Sequence, residues 1–205
     1  DVVPLVGDNR AIVQEGLKRI NAGKRPFFRS CLEVLEKDSI DAMTVAFRIA
    51  PMINAVSRMG NDASQLIDLL LETDPVKLRE GIIALDEINE ARKEETRREA
   101  ELAKNLVGDA PVGAIVFNHE SLQEGIVGIV AGQLKEEFSL PAVVLARTEE
   151  GNWKGSARSQ EGFMLKEALD QCAEYLLSYG GHAKAAGLTV RGSDLEKFRE
   201  KFTRL

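Results

Sequence analysis

The sequence is poor in the residues from which many active sites are built. Its 205 residues include two histidines, His119 and His182, and two cysteines, Cys31 and Cys172. So few imidazoles exclude a histidine-rich metal centre. The cysteines lie far apart and in no metal-ligand spacing, so reduced thiols in a cytoplasmic protein are expected. Asp-x-Asp, Asp-His-His, His-Glu-x-x-His and Cys-x-x-Cys motifs are absent, as is a Walker-type phosphate loop. Spacing suggests no Ser/His/Asp set. No apolar run approaches the ~18 residues of a membrane-spanning helix. The opening Asp1-Val2-Val3-Pro4 has neither the basic and apolar regions of a secretory signal nor an initiator methionine, so a fragment of a longer protein is expected.

What is present is the mix of a globular protein, 44% apolar and 29% charged, with length for one to two domains. The net charge of -6 is unevenly spread: residues 61–110 carry 7 basic and 13 acidic groups, against 10 and 9 in 147–205. A broad cationic face for duplex DNA is not visible. A few local basic residues still suffice to clamp one phosphate strand.

Apolar periodicity predicts helices over most of residues 1–73. One carries Ile12, Gly16, Leu17 and Ile20, one carries Cys31 to Leu35, and a third runs from Ile40 to Ile49 with Asp38 or Ser39 as N-cap. Pro51 should stop the third, leaving residues 50–61 as a loop. Asp62 with Gln65 should cap the next. Asp74-Pro75 opens a long helix reaching about Leu106. Its middle is heavily charged, with 11 charged residues among the 16 from Asp86 to Glu101. That suits a solvated strut between two bodies, or else a helix lying on one domain with only its ends packed.

Gly108-Asp109-Ala110-Pro111 marks a boundary. Beyond it, the apolar run Val112 to Phe117, a helix bearing Ile126, Ile129, Val130 and Leu134, and the run Ala142 to Ala146 predict a βαβ unit with a parallel pair. Ser121 with Glu124 should cap that helix. A third strand from Trp153 to Ala157 should pair beside the second. A helix over about Leu165 to Leu177 follows, then a strand from Gly187 to Val190, then a last helix boxed by Ser193 and Glu196. The fold expected is α/β: a mostly helical part over 1–73, a connector helix over 74–108, and a compact α/β domain with a mixed sheet over 109–205.

Three clusters carry candidate chemistry. Gly155-Ser156-Ala157-Arg158-Ser159 ends a predicted strand. Two hydroxyls and a guanidinium suit a phosphate, and Gly155 would let a ligand approach the backbone; ordinary polar residues at a strand edge are the alternative. Gly180-Gly181-His182 with Lys184 follows a predicted helix, where exposed N–H groups, an imidazole and an ammonium suit an anion, or the glycines form only a C-cap and turn. Asn54 and Arg58 are polar among apolar neighbours, in anion contact or with Arg58 paired to a carboxylate. The glycines of Glu124-Gly125-Ile126-Val127-Gly128 read as close helix–strand packing. His119 reads as a surface or capping residue, and Phe27, Phe28 and Trp153 as core.

Taken in order, these segments resemble the RecJ family of the DHH phosphoesterase superfamily. Ala50-Pro51-Met52-Ile53-Asn54-Ala55 through Arg58 is similar to the family's Gly-Pro-x-Ile/Leu-Asn-Ala-x-Gly-Arg signature. Asp1-Val2-Val3-Pro4-Leu5 with Asn9-Arg10 resembles the stretch after its catalytic motifs. Glu124 to Ala131, Gly155 to Ser159, and Gly180 to Gly187 resemble signatures of the DHH-associated domain, with Gln123 where a histidine often stands.

The resemblance implies a two-lobed enzyme that degrades single-stranded DNA from its 5′ end with two divalent ions, Mn²⁺ or Mg²⁺. The family's metal ligands would precede Asp1. This chain would then hold substrate through Asn54, Arg58, Ser156, Arg158, Ser159, Gly180, Gly181 and His182, with His182 nearest the scissile phosphate and no metal bound. A role in DNA repair and recombination is implied, with possible replication or repair proteins as partners and no membrane. Two rivals are a phosphodiesterase of the same superfamily cutting short RNA or cyclic dinucleotides, and a non-catalytic nucleic-acid-binding module whose acidic connector faces a basic partner.

Overall fold

A computed structural model describes residues 3–109 and 111–205. Asp1, Val2 and Ala110, which figured in the readings of the opening segment and of the boundary, lie outside the described residues. The chain divides into two compact units, Asp1–Arg92 and Lys93–Leu205.

The first unit is helical. α1 (Gly7–Asn21) buries none of its residues. α2 (Pro26–Val34) contributes Phe27 and Cys31 to the core. Asn21 ties the two ends of this region together, accepting the Ile40 N–H and donating to the Ile40 carbonyl, both at 2.8 Å. α3 (Ala42–Thr44) is capped by Asp41, which accepts the Thr44 N–H at 2.7 Å, rather than by Asp38 or Ser39. The chain then passes through one π-helical turn, Val45–Ile49, into α4 (Ala50–Arg58).

Pro51 therefore does not end the helix, and residues 50–58 are not loop. The π turn shifts the backbone bonding by one residue, so that the Ala50 N–H reaches the Val45 carbonyl. Pro51, which has no N–H, then falls in the first turn of a fresh α-helical segment, where none is needed. α5 (Ser64–Leu71) follows, its first turn held by Asp62, which accepts the Ser64 N–H at 2.9 Å.

α6 (Pro75–Val107) starts as expected: Asp74 accepts the Val76 N–H at 2.8 Å and that of Lys77 at 3.4 Å. Its first half gives Leu78, Ile82 and Leu85 to the core of the first unit, beside Phe27, Ile40 and Met52. Its second half gives Ala100 and Ala103 to a core of the second unit. The charged middle is not wholly solvated: Asn89, Thr96 and Glu99 are buried.

The second unit is a five-stranded mixed sheet in the order β1-β2-β3-β5-β4, built from β1 (Ile115–His119), β2 (Ala142–Arg147), β3 (Trp153–Arg158), β4 (Leu176–His182) and β5 (Ala185–Val190). β1 and β2 are parallel, joined by α7 (Val127–Phe138); every other pairing is antiparallel. The predicted βαβ unit is thus present. One face, with Val116, Val143, Leu145, Ala157 and Leu188, packs on α8 (Leu165–Gln171) and α9 (Leu195–Phe202). The other, with Ile115, Phe117, Ala142 and Val144, packs on α7 and α6.

Four local expectations are corrected. α8 ends at Gln171, not Leu177, and β4 follows it. Gly180-Gly181-His182 is therefore an edge strand instead of a turn after a helix. Ser121 and Glu124 do not box α7, whose N-cap position, Ile126, has no side-chain cap. Ser121 instead donates its N–H to His119 Nδ1 at 3.2 Å, and Glu124 pairs with Lys154. At α9 Asp194, not Ser193, occupies the N-cap, with its carboxylate on Arg191 and Lys197.

Candidate functional site

Alternation along paired strands decides which side chains meet. Ser156 lies opposite Gly187 on β5, and Gly187 opposite Gly180 on β4; Arg158 lies opposite Ala185, and Ala185 opposite His182. Residues in register share a face, and so do residues two apart on one strand. Ser156, Arg158, Gly180 and His182 therefore share one face, across two adjacent rows. Between β3 and β4 the rows are floored only by Gly187 and Ala185. At about 4.8 Å per strand, Arg158 and His182 stand roughly 10 Å apart. Gly180, His182 and Gly187 are exposed; Ser156 and Arg158 are half-buried.

This is also the face that α7 covers over β1 and β2. A methyl group at Gly128, in the first turn of α7, would lie 3.0 Å from Arg158 Nη2 and 3.1 Å from Ser156 Oγ. The glycine there is a packing residue, as expected, and what it packs against is the candidate pair. Arg158 is steadied by its Nη1 donating to the Ala157 carbonyl at 2.9 Å. Beyond Gly128, α7 and Lys104 border an open groove of about 590 Å³.

The neighbouring residues divide by role. Gly181 has φ +149°, and a Cβ there would meet the Ala185 carbonyl oxygen at 2.3 Å. Only glycine lets this edge strand lie so close to β5. Ser159 is buried, and its hydroxyl is within 2.9 Å of both the Phe163 and Ala183 carbonyls. Its O–H is taken up in tying β3 to the hairpin beside His182, apart from the exposed pair. Gly155 faces no ligand: a Cβ on it would fall 1.9 Å from the Val144 carbonyl oxygen, so what approaches its backbone is β2. His182 accepts the Lys184 N–H at Nδ1, at 3.4 Å.

In the first unit, Asn54 and Arg58 lie one helical turn apart on α4 and are exposed. Arg92, at the end of this unit, feels the Arg58 charge: its pKa is lowered, first by burial and then by that guanidinium. Asn89, buried, accepts from Arg92 Nε at 3.3 Å and Nη2 at 3.0 Å and so holds it in place. The Glu90 carboxylate opposes that shift, so the two guanidiniums share their surroundings with an acid. Arg92 was hidden in the charged run of α6.

Glu99 was also missed. It is 1% exposed; its Oε1 accepts the Gln123 N–H at 2.7 Å, and its Oε2 has no hydrogen-bond partner among the described residues. The signal lay in Thr96, Ala100 and Ala103, small residues at helical spacing that mark the buried stripe on which Glu99 lies. Burial pushes its carboxyl up to about 7, with Glu95 adding to the rise and the Gln123 N–H and Arg98 opposing it.

A carboxyl raised on folding contributes stability while protonated, and that contribution is lost as pH climbs from the unfolded value through the folded one. Glu99→Gln, which cannot ionise, should gain melting temperature over the parent between about pH 5 and about pH 8. Thermal unfolding across that range checks this; a difference that does not vary with pH would contradict it.

Both cysteines are free and buried, and burial pushes the Cys31 thiol up to about 12 and raises that of Cys172. Phe27 and Trp153 are core residues. No helix among the described residues is long and apolar enough to cross a membrane. Among them, too, no three His, Cys, Asp or Glu side chains gather as ligands for an ion.

Residues 110–205 match the DHHA1 domain family. The single-stranded-DNA-specific exonuclease RecJ of Dickeya dadantii is 37% identical over 219 aligned residues, covering 100% of this chain and 38% of that protein. Crystal structures of Thermus thermophilus RecJ with Mg²⁺ and with Mn²⁺ each superpose at a TM-score of 0.88 and 33% identity, over 100% of this chain and 32% and 30% of theirs. Across relatives from several bacteria the chain spans 27–38% of the matched protein.

Proposed function

We propose that this chain, similar to RecJ along its whole length and to the DHHA1 domain family over residues 110–205, is the substrate-holding part of a 5′–3′ exonuclease acting on single-stranded DNA. The observation that carries this is the shared sheet face of Ser156, Arg158, Gly180 and His182, open above a glycine–alanine floor. Arg158 offers parallel N–H donors to non-bridging phosphate oxygens, and Ser156 adds an O–H. The bare floor lets the sugar–phosphate chain lie against the sheet. His182 takes the phosphate to be cut. Gly180 and Gly181 keep the strand edge clear, and Ser159 holds the hairpin. Asn54 and Arg58, in the first unit, are further contacts for single-stranded DNA.

In this reading the Mg²⁺ or Mn²⁺ of the full-length enzyme is held by residues outside this chain, and the chain's own part is to bind and orient the strand. The setting we propose is DNA repair and recombination in the cytoplasm, with replication or repair proteins as partners.

The 205-residue chain alone should leave single-stranded DNA intact with either ion, while the full-length protein degrades it. Robust ion-dependent cleavage by the chain alone would overturn this division of labour. Faster hydrolysis of dinucleotides than of long single strands by the full-length protein would favour a small-substrate phosphodiesterase instead.

A further inference from the structure

We propose that Glu99 is a positioning residue for the Ser156–Arg158 clamp: its carboxyl oxygen fixes the turn over residues 120–126, and through that turn the place where Gly128 meets the pair. This rests on reading Ser156 and Arg158 as phosphate ligands.

The path is continuous. Glu99 Oε1 takes the Gln123 N–H at 2.7 Å. The Gln123 carbonyl takes the Ile126 N–H at 3.1 Å, and the Ile126 carbonyl takes those of Ile129 and Val130 at 2.8 and 3.1 Å. Gly128 lies inside that last loop of bonds. It borders β3 closely, since a methyl there would press on Arg158 and Ser156 at 3.0 and 3.1 Å. A small drift of the first turn of α7 would therefore move the guanidinium or open a gap beside it. No side chain caps that turn at Ile126, and the Gln123 N–H ties the approach to it onto Glu99.

The energetics fit positioning better than simple support. A buried carboxyl with one oxygen unsatisfied costs stability, and an apolar residue of similar volume is often the more stable choice. The charges that act on Glu99 are Glu95 and Arg98, on its own helix. On the turn, Glu120 is exposed, His119 Nδ1 is bonded to Ser121, and Glu124 is paired with Lys154. Strand β1 and helix α7 bring Ile115, Phe117, Val127 and Val130 to the core that Ala100 and Ala103 share. The group thus makes one specific contact, and that contact leads to the clamp.

The test uses the full-length protein and a 5′-phosphorylated single-stranded oligodeoxynucleotide. Glu99→Met fills the space without an acceptor. It should raise KM about tenfold, with kcat within about twofold of the parent and no loss of melting temperature. Glu99→Gln keeps the acceptor and should restore KM to near the parental value. A parental KM for Glu99→Met, or a Gln variant as impaired as the Met variant, overturns the proposal. If Glu99→Met does not fold, Gly128→Ala carries the test, because it presses a methyl on the same pair; a parental KM there also overturns it. Arg158→Ala is run alongside: if it too leaves KM unchanged, the clamp reading itself has failed, whereas a raised KM confines the failure to Glu99.

Discussion

Replacing Arg158 by alanine in the full-length protein should lower kcat/KM on single-stranded DNA by about 10- to 100-fold, the equivalent of one charge-assisted hydrogen bond to phosphate. The loss should appear chiefly in KM, because the side chain holds the strand. Arg158→Lys keeps the charge but not the planar pair of donors, and should recover only part of the loss. The parental enzyme should also show a steeper fall of affinity with added salt than the alanine variant, since each neutralised phosphate releases counterions. Steady-state kinetics at two salt concentrations separate these outcomes. Parental kinetics in Arg158→Ala would remove this residue from the clamp.

Gly155→Ala should be among the most damaging single-methyl changes in the second unit. The added carbon would lie 1.9 Å from the Val144 carbonyl oxygen and 2.9 Å from Leu145 Cα, so backbone would have to move in the middle of the sheet. Overpacking of that kind costs about 3 kcal/mol, which lowers the melting temperature of a chain this size by about 6–12 °C. Gly132→Ala is the matched control. It lies in α7 with nothing within 4 Å of its added carbon, and relief of glycine's helix penalty should stabilise it by about 0.5–1 kcal/mol. Thermal melts of the two variants should move in opposite directions; a Gly155→Ala melt within a degree or so of the parent would mean that β2 and β3 are not packed this closely.

The α/β half of this fold was legible where a signal was local. Proline and glycine punctuate the two apolar runs that became β1 and β2, and the Asp74-Pro75 pair announced α6. β4 gave no such signal. Of its seven residues only Leu176 is buried, so neither an apolar run nor an alternation marks it, and its glycines resemble a turn. The helix through Pro51 was hidden because a π turn is a change of hydrogen-bond register, which residue types do not encode directly.

The site divides in the same way. Ser156, Arg158 and His182 could be picked out as phosphate-seeking types, but their convergence depends on the pairing of β3, β5 and β4, a long-range fact. Ser159 looks equivalent to Ser156 in the sequence; strand alternation sends it inward. Glu99 looked like one more charge on a solvated helix because composition outweighed the small residues on either side of it.

The two native thiols, sealed in the cores with their ionisation suppressed by burial, leave the surface chemically quiet toward electrophiles. A cysteine introduced at exposed Ser178, on the strand that carries His182, would keep the ordinary thiol pKa of ~8.5 and so ionise more readily than Cys31 and Cys172. A maleimide-linked fluorophore placed there would report on strand occupancy without any prior stripping of the native sulfur.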